Sequence, residues 1–238
     1  MKEVILSRKN PKIVEASSYK DGKGELFLVE GFHSVEEAIK AKLAIRIFSL
    51  KDYQDEIEEY LVTEEIIDKL SSSRNPEGIV ALCKKKMASP IKGSRVLLLD
   101  RVQDPGNVGT LFRTALAFGF KDIILTPGCA SIYNQKTLSS SQGAIFHINV
   151  IEKEALKAIE ELKKDGYEIY GTSLRNAKSS DSFANDIDKL CLILGNEGSG
   201  LKEDILKATD ANIFVDIKDI ESLNVGIAGG ILMHQFRK

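Results

Sequence analysis

Short apolar runs alternate with stretches whose apolar residues recur every three or four positions, and the alternation persists along almost the whole chain. In the first part, "ELFLVEG", "IRIFSL" and "GIVALCKK" read as strands. "NPKIVEASSY" predicts a helix with Asn10 as N-cap and Pro11 in its first turn, "HSVEEAIKAK" sets Val35, Ala38 and Ile39 at helical spacing, and "TEEIIDKLSS" opens on Thr63 as a cap. Residues 1–87 therefore read as a small α/β domain. "KKKMASPIKGS" breaks the pattern with Pro90 and Gly93, so residues 88–94 read as a linker. Over residues 95–238 the apolar runs "RVLLLD", "DIILTP", "FHINVI", "EIYGTS", "LCLILGNEG" and "NIFVDI" are separated by helical segments. Runs that are apolar on both faces predict a parallel sheet covered on both sides.

Ligands of such sheets bind beyond the carboxyl ends of the strands, and three loops there stand out. "DPGNVGTLFR" puts Asn107 near a helix start and Arg113 among Leu111, Phe112, Ala115 and Leu116, which the helix has to bury. "LGNEGSGL" sets three glycines around Glu197, and in "IESLNVGIAGGIL" Ser222 could cap a helix rich in small residues. Each residue also has a plain structural use, as a cap, a turn or a side chain snorkelling to solvent. The glycines of "GNEGSGL" fit neither common nucleotide motif. Leu201 stands where a phosphate loop needs lysine, and Glu203 where a dinucleotide fingerprint needs its last glycine.

Composition narrows the chemistry further. With 238 residues, 43% of them hydrophobic, the chain can bury a sizeable core, and a formal charge of -2 with a pI near 6.0 provides no global basic field. Contact with nucleic acid then falls to local patches, such as residues 1–24 with six Lys or Arg against three acidic residues. No run approaches the roughly 18 apolar residues of a membrane span, and the first residues lack the apolar core of a secretory signal, so a cytoplasmic protein is expected. Cys83, Cys129 and Cys191 form no CxxC pair and read as small buried hydrophobes rather than disulfide or zinc ligands, and no metal site is expected.

In order, the three loops resemble the motifs of the SpoU (TrmH-like) branch of the SPOUT RNA methyltransferases. The matching residues are Asn107 with Arg113-Thr114-Ala115, the run from Gly195 to Gly200 around Glu197, and Ser222-Leu223-Asn224-Val225. "SRKNPKI", "LFLVEGFHSVEEA" and "SRNPEGIVALCKKK" are similar, more loosely, to the family's N-terminal substrate-binding module, itself like a small ribosomal protein. The resemblance implies an α/β SPOUT domain with a deep trefoil knot, and methyl transfer from S-adenosylmethionine to a ribose 2'-hydroxyl of RNA, ribosomal RNA being expected. It implies a homodimer in which Arg113 reaches the partner's cofactor pocket. Asn107, Arg113, Glu197, Ser222 and Asn224 would form the catalytic set. In that set Arg113 would bind the phosphate beside the target ribose, Asn107 would hold Arg113 or the ribose, and Glu197 would fix Arg113 or another donor. Ser222 and Asn224 would order the knot and the methionine end of the cofactor. Main-chain groups of Thr172, Gly195, Val215, Ile217 and Leu223 would form the adenosine pocket.

Two departures stand out. Val215-Asp216-Ile217 replaces the family's usual Ile-Pro-Met, leaving open which of Val215 and Ile217 faces the adenine, and Ser139 occupies a position where relatives often carry arginine. Transfer RNA as substrate, and a non-catalytic knotted RNA-binding protein, are the alternative readings.

Overall fold

Asn10 starts the first helix, α1 (Pro11–Ser18), by accepting the Lys12 main-chain N–H at 2.9 Å, with Pro11 placed where no donor is needed. The computed structural model describes residues 2–53, 57–183 and 186–238. They cluster into two units: the chain up to Met87 together with Tyr133–Phe146, and Ala88–Ile132 with His147–Lys238.

In the first unit, β1 (Glu3–Ile5), β2 (Leu26–Glu30), β3 (Ala44–Ser49), β4 (Glu58–Val62) and β5 (Ile79–Lys84) form one sheet in the order β1-β4-β3-β5-β2. The β1, β4 and β3 strands run parallel, while β3, β5 and β2 pair antiparallel. Ile13 and Ala16 of α1 pack with Ile66, Ile67 and Leu70 of α3 (Glu64–Leu70) against Leu28, Phe48, Val80 and Leu82. α2 (Phe32–Lys40) buries Val35 and Ala38. Thr63 occupies the cap position of α3, but its side chain makes no capping hydrogen bond. β1 and β4 went unpredicted because one is three residues long and the other begins with two glutamates.

Tyr133–Phe146 belongs to the first unit, although its place in the chain suggested the second. Its helix α4 (Gln135–Ser141) is tied down by Gln135, which donates to the Leu28 carbonyl at 2.9 Å, and the Phe27 ring lies 4.7 Å from that of Tyr133. The linker read at residues 88–94 is part of the second unit and is bonded to it. Ser89 and Asn149 exchange two hydrogen bonds, and the Lys92 and Gly93 N–H groups donate to Asp122.

The second unit holds a seven-stranded, all-parallel sheet. Its strands are β6 (Arg95–Leu99), β7 (Asp122–Leu125), β8 (Asn149–Glu152), β9 (Glu168–Thr172), β10 (Lys178–Ser179), β11 (Leu190–Leu194) and β12 (Ala211–Phe214), in the order β10-β12-β9-β11-β6-β7-β8. The side-chain period of two divides its apolar strands between two cores. Leu97, Leu99, Leu192 and Leu194 pack with α5 (Pro105–Ala117) and α8 (Val225–Gln235), whereas Val96, Leu98, Cys191 and Ile193 pack with α6 (Ala155–Lys164) and α7 (Glu203–Ala208). Arg95 is buried at the start of β6. Its guanidinium donates to the carbonyls of Phe236 at 2.6 Å, Ile187 at 2.8 Å and Asp188 at 3.0 Å, which pins the end of α8 to the middle of the sheet.

The two central glycines of α8 face different surroundings. A Cβ on Gly229 would lie 2.5 Å from methyls of both Leu111 and Leu194, while one on Gly230 would meet only Thr114, at 3.6 Å. Gly229→Ala is expected to destabilise by about 1–3 kcal/mol through overpacking, and Gly230→Ala to be neutral or stabilising by up to about 1 kcal/mol. Urea unfolding of the two variants checks the opposite signs.

Candidate functional site

Three loops of the second unit are joined through Asn107 and Glu197. The N-cap of α5 is Asp104, whose side chain accepts the Asn107 N–H at 2.9 Å, so Asn107 lies within the first turn rather than capping it. From there its side-chain amide donates to Glu197 Oε1 at 3.1 Å. Glu197 also accepts the main-chain N–H groups of Gln103 at 3.2 Å and Asp104 at 3.1 Å. On its other side the Asn107 amide oxygen accepts from Asn224 Nδ2 at 2.9 Å. Asn224, and not Ser222, is the N-cap of α8, its Oδ1 accepting from Gly226 and Ile227. Two helix starts and the glycine-rich loop are thus joined through two asparagines and one glutamate. Partial burial pushes the Glu197 carboxyl upward, but the hydrogen bonds from Asn107, Gln103 and Asp104 outweigh it and hold the group below its ordinary pKa. A carboxylate so held is a weak proton acceptor.

The glycine-rich loop is closed on itself. Gly195 admits no side chain, since a Cβ there would lie 2.6 Å from the Gly200 carbonyl carbon and the Leu201 nitrogen. Asn196 Oδ1 accepts the N–H groups of Gly198 and Ser199, and its amide donates to the Arg101 carbonyl at 2.9 Å. Arg101 has a φ of 55°, which is uncommon for a residue with a side chain. That conformation lets its guanidinium pair with buried Asp100 at 2.8 Å while donating to the Gly200 carbonyl at 3.1 Å. Arg101 therefore clamps the loop to the end of β6. The clamp is invisible in the sequence because no local pattern marks a left-handed arginine, whereas Asp104-Pro105 carries the same cap-and-proline signal as Asn10-Pro11.

The proposed pocket residues lie on loops at the same edge. Thr172, at the end of β9, donates its hydroxyl to the Ile193 carbonyl at 3.0 Å. Val215, Ile217 and Leu223 are half-buried on the connection from β12 to α8. Among the described residues, no main-chain N–H or C=O of residues 216–223 bonds to another main-chain group. Polar main chain together with apolar Ile217, Ile220 and Leu223 suits a nucleoside, whose base needs both an apolar wall and hydrogen-bonding groups.

Arg113 and Ser222 are not drawn into this cluster. Arg113 is exposed, roughly 9 Å along α5 from Asn107 by helical rise, and makes no hydrogen bond or ion pair among the described residues. Glu197 is held by Asn107 and main chain instead. Ser222 is exposed, and Ser139 is exposed on α4 of the first unit. Cys83 and Cys191 are buried, and Cys129 is half-buried with its thiol against the Leu99 carbonyl at 3.2 Å; burial pushes all three thiols up. No group of three or more His, Cys, Asp or Glu able to hold a metal occurs among the described residues.

Residues 94–234 match a family model described as the SpoU rRNA Methylase family, and residues 22–81 match an MRM3-like substrate binding domain. The chain is 36% identical over 223 residues to the 23S rRNA (guanosine(2553)-2'-O)-methyltransferase RlmP of Bacillus subtilis, covering 90% of each chain. Among solved structures, an AdoMet-bound rRNA methyltransferase from Sinorhizobium meliloti has the same fold, with a TM-score of 0.89 at 23% identity and coverage of 98% of this chain and 97% of that one. A putative RNA methyltransferase of the TrmH family from Porphyromonas gingivalis aligns with a TM-score of 0.85 at 26% identity, covering 98% of each chain. With the parallel sheet, the closed glycine loop and the joined helix starts in the region that matches, the chain belongs to the SpoU rRNA methylase family.

Proposed function

We propose that this protein transfers the methyl group of S-adenosylmethionine to the 2'-hydroxyl of a guanosine ribose in 23S ribosomal RNA. The observation that carries the reading is the Asn107–Glu197–Asn224 network, which gathers the family's three motifs at one end of the sheet. The similarity to RlmP runs through both units and supports the substrate class. No described helix is long and apolar enough to cross a membrane; the cytoplasmic site of action in this reading follows from a ribosomal RNA substrate.

S-adenosylmethionine, when bound, would supply an electrophilic methyl group carried on a sulfonium. The protein's part is placement. The main chain of Gly195 and of residues 215–223, with Thr172 beside them, holds the nucleoside, and the clamp by Arg101 keeps the glycine loop in register. Asn107 and Asn224 fix the two helix starts that border the pocket. Glu197, already ionised and fully engaged, anchors Asn107 rather than taking the proton. Arg113, a permanent cation, binds the phosphate next to the target ribose and orients the hydroxyl toward the methyl group. The hydroxyl proton leaves to solvent. The reading includes the family's knot, in which the connection into α8 is threaded through an earlier loop.

It also includes a homodimer. α8 leaves Ile227 and Ile231 exposed on one face, 55% and 41% respectively, and Arg113 points outward without a partner from its own chain among the described residues. A second copy covering that face would bring Arg113 to the other protomer's pocket and make each site composite.

The purified protein is expected to transfer labelled methyl groups from S-adenosylmethionine to a 23S ribosomal RNA transcript, mapped as ribose methylation at a guanosine. Cofactor binding without transfer to any ribosomal RNA would overturn the reading. Arg113→Ala should lower methyl transfer by about a hundredfold or more while leaving S-adenosylhomocysteine binding and stability intact, as calorimetry and thermal melting will show. Arg101→Ala should instead weaken S-adenosylhomocysteine binding by about tenfold, through loss of a charge-assisted hydrogen bond to the loop. Composite sites make a further demand. Arg113→Ala and Leu223→Arg should each be inactive alone, yet subunit exchange between them should restore about a quarter of wild-type sites. Exchange confirmed by native mass spectrometry without returning activity would place each site within one chain.

A further inference from the structure

One end of the first unit carries an aromatic pair that its own core leaves uncovered. Phe32 is the first residue of α2, follows Gly31 at a φ of 89°, and is 47% exposed. Its ring lies 5.8 Å from that of Tyr53 at a tilt of 48°, so neither ring covers the other's face. Leu50, exposed beside Gly78, extends the apolar surface.

Three carboxylates hold the main chain around this pair. Glu77 accepts the Phe32 N–H at 2.8 Å and lies over Gly31, where a Cβ would come within 3.3 Å of it. Glu59 accepts the Tyr53 N–H at 3.0 Å. Glu30 accepts the Ser71 hydroxyl and the Ser72 N–H, the latter at 3.1 Å. The loop of residues 71–77 is therefore anchored at both ends on the segment that presents Phe32. Between those anchors it exposes Ser72, Ser73, Arg74 and Asn75.

We infer that Phe32, with Tyr53 beside it, is a stacking surface for an unpaired base of the substrate RNA, flanked by the Ser72–Asn75 loop as a source of hydrogen bonds to base edges and phosphates. Sequence-specific RNA recognition splays single-stranded bases onto aromatic rings and reads them with neighbouring polar groups, and this end of the unit offers both on a fixed main chain. A protein partner would call for a broad apolar patch, whereas the large exposed hydrophobes here are Phe32 and Leu50 within a polar rim. The inference rests on the reading of the chain as an RNA-modifying enzyme and adds to it the place where the substrate is held.

The chain contains no tryptophan, so Phe32→Trp installs a single reporter at the surface in question. With a 23S ribosomal RNA transcript as the probe, Phe32→Ala should raise KM for RNA about tenfold while kcat and S-adenosylhomocysteine binding stay at wild-type values. Phe32→Trp should keep KM within about twofold of wild type, and its emission should be quenched as the transcript saturates the protein. Unchanged KM in the alanine variant, or unquenched emission at saturating RNA, overturns the stacking surface. The two readings separate cleanly. Absence of methyl transfer by the wild type rejects the proposed activity, while the emission of Trp-substituted protein reports RNA contact without any need for catalysis.

Discussion

The Glu197 carboxylate is the constraint on which the candidate site depends. Its two oxygens satisfy main-chain N–H groups just before α5 and the side chain of Asn107, and Asn107 in turn holds the cap of α8. Helix starts present main-chain donors that have no partner within the helix, and an anion placed there both satisfies them and complements the helix dipole. Removal of the carboxylate would leave the main-chain donors before α5 unsatisfied and take away the anchor of Asn107, and with it the tie between the starts of α5 and α8. Three glycines give the loop no stiffness of their own, so the turn closed by Asn196 and the Arg101 clamp on its far side matter as well.

Most of the architecture was legible in the residues because burial imposes a period. Runs such as "RVLLLD" and "LCLILGN" can only be strands covered on both faces, and the structure divides their alternate residues between two cores as that pattern requires. Asn10 and Pro11 announced α1 through the chemistry of a single helix turn. Features that depend on distant partners were not legible. Nothing local to Tyr133–Phe146 shows that it leaves the second unit, because the contacts holding it come from Gln135 reaching residues more than a hundred positions away. The Ser222 cap was misread for a similar reason. Ser and Asn are both good caps two residues apart, and the choice of Asn224 is reinforced by its bond to Asn107 across 117 residues.

The site divides its labour by hydrogen-bond engagement. Asn107, Glu197 and Asn224 are tied to one another and to main chain, whereas Arg113 keeps its donors open among the described residues. This is the distribution expected where fixed groups shape a pocket and one long cation meets a polyanion arriving from solvent. On the first unit the carboxylates of Glu30, Glu59 and Glu77 play the same kind of part as Glu197, spending their charge on main-chain and hydroxyl donors so that the loops around Phe32 keep their form.

The burial of Arg95 has a consequence for how the second unit comes into being. Its guanidinium is satisfied by carbonyls, among them that of Phe236, 141 residues further along. During synthesis β6 leaves the ribosome long before α8 does, so an early sheet would enclose a charge with one of its acceptors still missing. Such an intermediate is disfavoured, and contacts this far apart in sequence are slow to close. Final consolidation of the sheet therefore awaits the last helix, the same helix whose cap completes the network at Glu197. Until α8 docks, the chain lacks both the Phe236 acceptor for Arg95 and the Asn224 bond that completes the network at Glu197.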